Sequence, residues 1–539
     1  MSSPAAPPVT PPPAGSAWAP LRSPTFAILW GATLIGSIGV WMRDVASGWL
    51  MTDLAPSPLA VALVQAAGSL PVFLLSLPAG ALADLFDRRK LLIGVQLMLM
   101  LLALLMAALT WAGAMTPALL IACTLAGGAG AAFIGPAWQS IVPELVDRAQ
   151  LRSAVALNSL GLNIARAIGP AVGGLVIVVL GVAAAFLADA ITYLFVLAAL
   201  LWWRRPARAP TLPPEHILPA MVAALRYARF SAPLRRTLLR AFLFFVFASA
   251  PWALLPLLVR EDLGGSAGLY GLMLAGIGAG AVAGAFLLPT LRLRLGTEAL
   301  VLATSLLLAA VALGLAVATM PRIALALMPL FGLGWIAVLT SLNVTAQGIL
   351  PDWIRGRGLA LYITVFFGSM SFGSMFWGQV AELFSIQFAL AASGALGALT
   401  ALGARALPLP DDTGDLTPSL HWPEPILSPD LGGGDRGPVM IIIDYRVVEE
   451  NQPTFRTLMR ELGDVRRRDG AYQWGFFQDA EQPSRSVEFF LVQSWLQHMR
   501  QHQRVSKADQ ALQARILALH DGVDPPTVRH LFSDAPEAR

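Results

Sequence analysis

Between residues 26 and 406 the chain is a succession of apolar stretches, each long enough for the ~20 residues that a helix needs to cross a bilayer. Nothing else constrains the fold as strongly. Backbone polar groups in hydrocarbon must be satisfied within their own segment, so runs this long cross as helices. We place twelve spans, at 26–52, 59–82, 91–113, 117–140, 154–179, 182–203, 237–259, 268–291, 298–319, 323–346, 359–381 and 386–406. Only 13% of the residues are charged and 56% are hydrophobic, which excludes a soluble protein built on one or two cores. An even number of crossings puts both termini on one side.

Loop charge selects that side. Alternate loops carry Arg88, Arg89 and Lys90, then Arg148 and Arg152, then Arg204, Arg205 and Arg208, then Arg292 and Arg294, then Arg355 and Arg357; the opposite loops offer Arg260 and Arg322. The positive-inside rule makes the basic loops and both termini cytoplasmic, in a multi-pass protein of the cell (inner) membrane whose partner is the lipid bilayer. The net charge of +4 reflects this asymmetry, and no basic run is interleaved with stacking aromatics, so no nucleic-acid partner is expected. Residues 1–24, rich in proline, read as a disordered cytoplasmic arm. There is no phosphate-binding Gly-x-x-x-x-Gly-Lys-Ser/Thr loop and no histidine within a span, so neither ATP bound by this chain nor a histidine relay is expected to drive chemistry in the membrane. The single cysteine, Cys123, allows no internal disulfide.

The spans repeat. Gln139-Ser140-Ile141-Val142-Pro143-Glu144 recurs 208 residues on as Gln347-Gly348-Ile349-Leu350-Pro351-Asp352, each copy closing an apolar run. The same shift carries the loop Gly80-Ala81-Leu82-Ala83-Asp84-Leu85-Phe86-Asp87-Arg88-Arg89-Lys90 onto the weaker basic loop around Arg292 and Arg294. The loop at 80–90 resembles the one between helices two and three of the major facilitator superfamily of secondary transporters. That resemblance implies two six-helix halves, 25–203 and 237–406, joined by a cytoplasmic linker over 204–236 with an interfacial helix, and a substrate cavity between the halves. It also implies a gating role for Gly80, Asp84, Asp87, Arg88 and Arg89. Leu85 and Asp87 depart from the common pattern, so the pairing within this loop stays open between Asp84, Asp87 and Arg88.

A charge in hydrocarbon costs at least ~2.5 kcal/mol, so each ionisable residue in a span needs a partner or a wet cavity. Arg43 and Asp44 in the first span, Arg166 in the fifth and Asp189 in the sixth are therefore candidates to line a substrate or proton cavity, together with Gln65, Asn163 and Asn343; a structural interhelical pair is the competing reading. Gln96 and Gln347 are further candidates, with an interhelical hydrogen bond as the competing reading. Trp49 reads as packing. Ser159, Asn163, Arg166 and Pro170 fall on one helix face, and Gly169, Pro170, Gly173 and Gly174 resemble the Gly-Pro motif that exporters of the superfamily carry in this helix, where it is associated with antiport. A packing kink is the alternative. Gly276, Gly280 and Gly284 read as a helix-packing stripe.

After a flexible linker over 407–437 the composition changes. Strands at 438–447, 471–479, 486–495 and 527–532 alternate with helices at 451–469 and 496–520, an α+β, ferredoxin-like order over 438–535. This domain resembles the dimeric α/β-barrel domains of the antibiotic-biosynthesis-monooxygenase type, which implies self-association through 438–535. His498 and His502, one turn apart, are better read as a solvated or dimer-facing pair than as metal ligands, and neither cofactor nor metal is expected. The transporter core plus tail is similar to the transmembrane secretion effector (enterobactin-exporter-like) branch. The resemblance implies a proton-coupled exporter of a small amphipathic molecule, a siderophore, drug or secondary metabolite, and not an enzyme. An importer, or a membrane-tethered enzyme or sensor acting through the tail, is the alternative.

Overall fold

The computed structural model describes residues 18–85, 87–147, 150–203, 217–410, 414–422 and 435–533, with the side chains of 77, 80–85, 136, 140, 143, 152 and 217–220 outside that description. Helix starts follow the capping chemistry of the loops. Asp87, Thr116 and Ser385 sit in extended backbone and accept hydrogen bonds from the amides of Lys90, Leu119 and Phe388, opening α3 (Arg88–Trp111), α4 (Pro117–Leu145) and α12 (Ile386–Gly403). The other long helices are α1 (Pro24–Leu54), α2 (Pro58–Leu85), α5 (Leu151–Leu180), α6 (Val182–Trp202), α8 (Ala232–Leu257), α9 (Ala267–Ala316), α10 (Pro321–Ile349) and α11 (Arg355–Leu383). Most run a few residues beyond the expected spans, because a helix need not stop where hydrocarbon does.

Among the described residues, eleven helices are long and apolar enough to cross a membrane. One of them counts twice. The 50 residues of α9 would extend about 75 Å at 1.5 Å per residue, far beyond a ~30 Å hydrocarbon layer. Gly296, at φ 76°, breaks the helix between arms 267–295 and 297–316, matching the two spans expected there and giving twelve crossings. Of the arm expected to be disordered over 1–24, residues 1–17 lie outside the described residues; Ala19–Arg22 forms a 3-10 turn with Pro20 buried.

Small residues set how closely the helices approach. On α5, a Cβ at Gly169 would stand 2.6 Å from the Trp41 Cβ and one at Gly173 2.9 Å from the Met42 Cα, so this face lies against α1. Around the helix, Gly174 faces Ala267 and Gly271 of α9, and a Cβ at Gly278 of α9 would stand 2.8 Å from the Arg166 carbonyl oxygen. Pro170 has no N–H to give that carbonyl its helical bond, and a glycine lets a second backbone come up to it. Gly276, Gly280 and Gly284 pack α9 on Met328, Pro329 and Leu333 of α10, as the stripe suggested.

The chain divides into two compact units. The first comprises Met1–Pro214, Phe242–Thr340 and Ile363–Arg405; the second comprises Glu215–Ala241, Ser341–Tyr362 and Ala406–Arg539. In the second, α7 (Ile217–Phe230) packs Ala223, Tyr227 and Ala228 against Ile349, Leu350 and Ile354. The C-terminal sheet has β1 (Val439–Arg446), β2 (Gln473–Gln478), β3 (Arg485–Val492) and β4 (Thr527–Phe532) in the order β2-β3-β1-β4, all antiparallel, with Val439 opposite both Val492 and Phe532. That is the ferredoxin-like arrangement. Val439, Ile441, Ile443 and Tyr445 alternate onto the face covered by Phe455, Leu458, Met459 and Leu462 of α13 (Gln452–Asp469). The single helix expected over 496–520 is two, α14 (Trp495–Arg504) and α15 (Lys507–Leu517). Val505 is extended, and Ser506 and Asp509 form a capping box that restarts the helix.

Candidate functional site

Arg43 of α1 meets Asp189 and Tyr193 of α6, which are one turn apart and so share a face. Its Nη1 donates to Asp189 Oδ2 at 3.4 Å and to the Tyr193 hydroxyl at 3.0 Å, while Nη2 lies 3.6 Å from Asp44 Oδ1. Close approach of the two helices makes this possible: a Cβ at Gly36 would stand 2.8 Å from Val196 Cγ2, and one at Gly39 2.8 Å from Asp189 Oδ1. The two acids differ in their surroundings. The Asp189 side chain is 0% exposed with Oδ1 lacking a hydrogen-bond partner, whereas that of Asp44 is 54% exposed. The arginine's charge is thus shared between a sealed carboxylate and an open one, both in the transmembrane region. Tyr193 was not expected from the sequence, although its spacing from Asp189 is the signal that could have found it.

The remaining candidates separate. The Arg166 guanidinium lies 5.8 Å over Trp41, with Nη1 buried and lacking a hydrogen-bond partner. Asn163 donates to Ser159 O of its own helix at 2.9 Å, and Asn343 is bonded to Gln347 one turn away in the second unit. Gln65 is half-buried, and Gln96 is buried with Oε1 lacking a partner. Gly169, Pro170, Gly173 and Gly174 form the wedge between α1 and α9.

At the loop, Gly80 and Asp84 belong to α2 with side chains outside the described residues. Asp87 caps α3. Arg88 pairs with Glu144 at 3.2 Å, joining the loop to the first copy of the repeated motif. Arg89 donates to the carbonyls of Leu200 and Leu201 at 2.8 and 2.9 Å, the orphan acceptors at the end of α6. On the opposite face the two halves are fastened to each other. Arg260 bonds Thr52 and Asp53 and covers the Trp49 ring, which stacks on Tyr270; Ser57 donates to Glu382 at 2.7 Å. Deeper in, Ser69 meets Ser371 and Ser76 meets Thr364, each at 2.8 Å.

The C-terminal domain holds a polar cluster between sheet and α14. His498 Nε2 lies 3.0 Å from His530 Nε2 and 3.2 Å from His502 Nε2, under the rings of Trp495 and Trp422. His498 is 2% exposed and so is not solvated, while His502 beside it is half-buried. Among the described residues, no group of three or more His, Cys, Asp or Glu is arranged to hold a metal ion. Burial, with the neighbouring imidazoles second, pushes His498 down to about 3; burial and the His530 and Arg466 charges bring His502 to about 4. Both are therefore neutral when folded and, once exposed, titrate near the ordinary 6.5. Below pH 6.5 the unfolded chain binds more protons than the native one, so their contribution is complete above pH 6.5 and is lost as pH falls towards 4. We expect hydrogen-exchange protection of β3 and β4 in the full-length protein to drop between pH 7 and 5 after correction for intrinsic rates, and less steeply in His498→Gln. Equal slopes would refute this.

Twelve crossings in two halves related by a 208-residue shift, with a charged cluster inside the membrane, define a transporter of the major facilitator type. The chain matches the transmembrane secretion effector family over residues 15–538 and belongs to it. It is similar to the staphyloferrin A transporter of Staphylococcus aureus, 26% identical over 65% of this chain and 87% of that protein. It is also similar to the multidrug efflux pump Tap of Mycobacterium tuberculosis, 30% identical over 30% of this chain and 39% of the pump. Among solved structures, the D-xylose-proton symporter superposes with a TM-score of 0.55 at 16% identity, covering 72% of this chain and 98% of the symporter. The family and its relatives are membrane transporters, and that is the class of this protein.

Proposed function

We propose that the protein exports a small amphipathic molecule from the cytoplasm by alternating access, driven by the proton gradient across the inner membrane, with both termini cytoplasmic. The observation that carries this is Asp44, an exposed carboxylate within a membrane helix, loosely held by an arginine whose other carboxylate partner is sealed. A proton carrier must be reachable by water and must have a countercharge that can do without it; the exposure of Asp44 and the second carboxylate that Asp189 offers Arg43 support that role. The cargo class is supported by the relatives, one a staphyloferrin A transporter and the other a multidrug efflux pump. Gly80, Asp84, Asp87, Arg88 and Arg89 act as the latch on the basic-loop face, with Arg88 to Glu144 as its ion pair, while the Arg260 and Glu382 contacts fasten the opposite face. Arg166, Gln65 and Asn163 tune the surroundings of this cluster, and the Gly169–Pro170 wedge limits leak. The exposed Phe477, stacked on Phe489 at 5.7 Å on the sheet face away from α13, supports self-association through 438–535.

In proteoliposomes carrying the purified protein, an imposed pH gradient is expected to drive uptake of an amphipathic fluorescent dye against its concentration gradient, and an uncoupler to abolish it. Accumulation that persists with the uncoupler present would sink proton coupling.

A further inference from the structure

The run Arg466-Arg467-Arg468 closes α13, and its three guanidiniums go separate ways. Arg466 turns inward to Glu488 at 3.0 Å. Arg467 lies between the rings of Trp474 and Phe230, 5.1 and 5.7 Å from their centres. Arg468 stands 5.4 Å over Tyr227 and is steadied there by Asp469 at 3.0 Å and Asp509 at 2.7 Å. At the end of α14, Arg504 lies 4.2 Å over Trp353. The aromatic side is equally tied together. Tyr227 and Trp353 meet edge to face at 6.0 Å, and the Tyr227 hydroxyl donates to the Ile349 carbonyl at 3.0 Å. Phe230 and Tyr227 belong to α7, Ile349 ends α10 and Trp353 lies in the turn between α10 and α11; all lie in one compact unit with the C-terminal domain. A guanidinium over an aromatic face is worth roughly twofold to thirtyfold in an equilibrium constant, rising as water is excluded.

We propose that the C-terminal domain is a working part of the transporter: it grips α7 and the α10–α11 turn, and Arg468 and Arg504 are positioning residues that act on transport through Tyr227 and Trp353. The inference rests on the transport reading above. The repeat supplies its logic. The α4–α5 and α10–α11 turns are the two copies of one motif, and in the first copy Glu144 is tied to Arg88 of the neighbouring loop. In the second, Asp352 is instead paired at 2.7 Å with Arg355 of its own turn. In the second copy, the arginines of the C-terminal domain hold the turn through the faces of Tyr227 and Trp353. Their grip selects aromatic faces, which explains why the positions carrying it are Tyr227, Phe230 and Trp353.

The test uses the full-length protein in nanodiscs. In the variant Arg468→Ala/Arg504→Ala, hydrogen exchange over 223–230 and 347–354 is expected to quicken about tenfold, as loss of desolvated cation–π contacts implies, with exchange in α4 unchanged. Turnover of the dye should fall severalfold at unchanged KM. Trp353→Leu, which removes the grip from the other side without touching the C-terminal domain, should reproduce both effects, and Arg504→Lys should recover only part. Unchanged exchange at 347–354 in either variant overturns the proposal, as does faster exchange with unaltered turnover. A wild-type protein that moves no dye would defeat the transport reading instead, leaving the exchange result to be judged by itself.

Discussion

Replacing Asp189 by alanine is expected to destabilise the protein by roughly 3–5 kcal/mol and to cost most of its folded yield, the usual result of stranding one member of a buried ion pair. The Arg43 side chain is only 12% exposed, and its Nη1 would keep only the Tyr193 hydroxyl. Asp44, at 3.6 Å and half exposed, would inherit the whole charge, which puts the effect towards the lower end of that range. Removing both charges should be milder. In Arg43→Met/Asp189→Leu the helices keep their glycine-mediated approach and no charge is stranded, so the melting temperature of the purified protein should recover to within a few degrees of wild type while transport stays lost. Thermal melting and size-exclusion profiles in one detergent decide the matter; an Asp189→Ala protein that melts like wild type would show that the pair contributes nothing to the fold.

The crossings were legible from sequence because hydrocarbon enforces them: each run must be apolar, about 20 residues long and helical. Even the break in α9 was readable, since Arg292, Arg294 and Gly296 interrupt the apolar run where a 75 Å helix could not continue. The ferredoxin-like order was readable from period-two alternation, while the split of its last helix was missed although Ser506 and Asp509 carry the capping-box spacing. The site was legible only as a set of types. That Arg43, Asp44 and Asp189 were costly residues followed from burial energetics, but which acid was sealed and which open depends on contacts between residues 146 positions apart. Periodicity carries no such information. His498 shows the opposite error: a residue on a polar helix looked solvated, and tertiary packing under Trp495 buried it, with His502 half-buried beside it against Trp422.

The exposed acid should behave in the reverse manner to the sealed one. Asp44→Asn keeps shape and hydrogen-bonding capacity, leaves Arg43 its bonds to Asp189 and Tyr193, and acts on a side chain already 54% exposed, so folded yield and melting temperature should stay near wild type. What it removes is the capacity to take up and release a proton. Dye accumulation driven by a pH gradient should therefore fall to the level of empty liposomes, while exchange of labelled for unlabelled dye at equal pH on both sides continues, because rocking between the two faces needs no net proton movement once the carrier is permanently neutral. Asp44→Glu, which restores an ionisable group on a longer stem, should regain part of the gradient-driven flux. If Asp44→Asn accumulates dye like wild type, the coupling proton is carried elsewhere and Asp44 is only a second partner for Arg43. If it fails to fold, the distinction between the two carboxylates, on which the proposed mechanism depends, is itself mistaken.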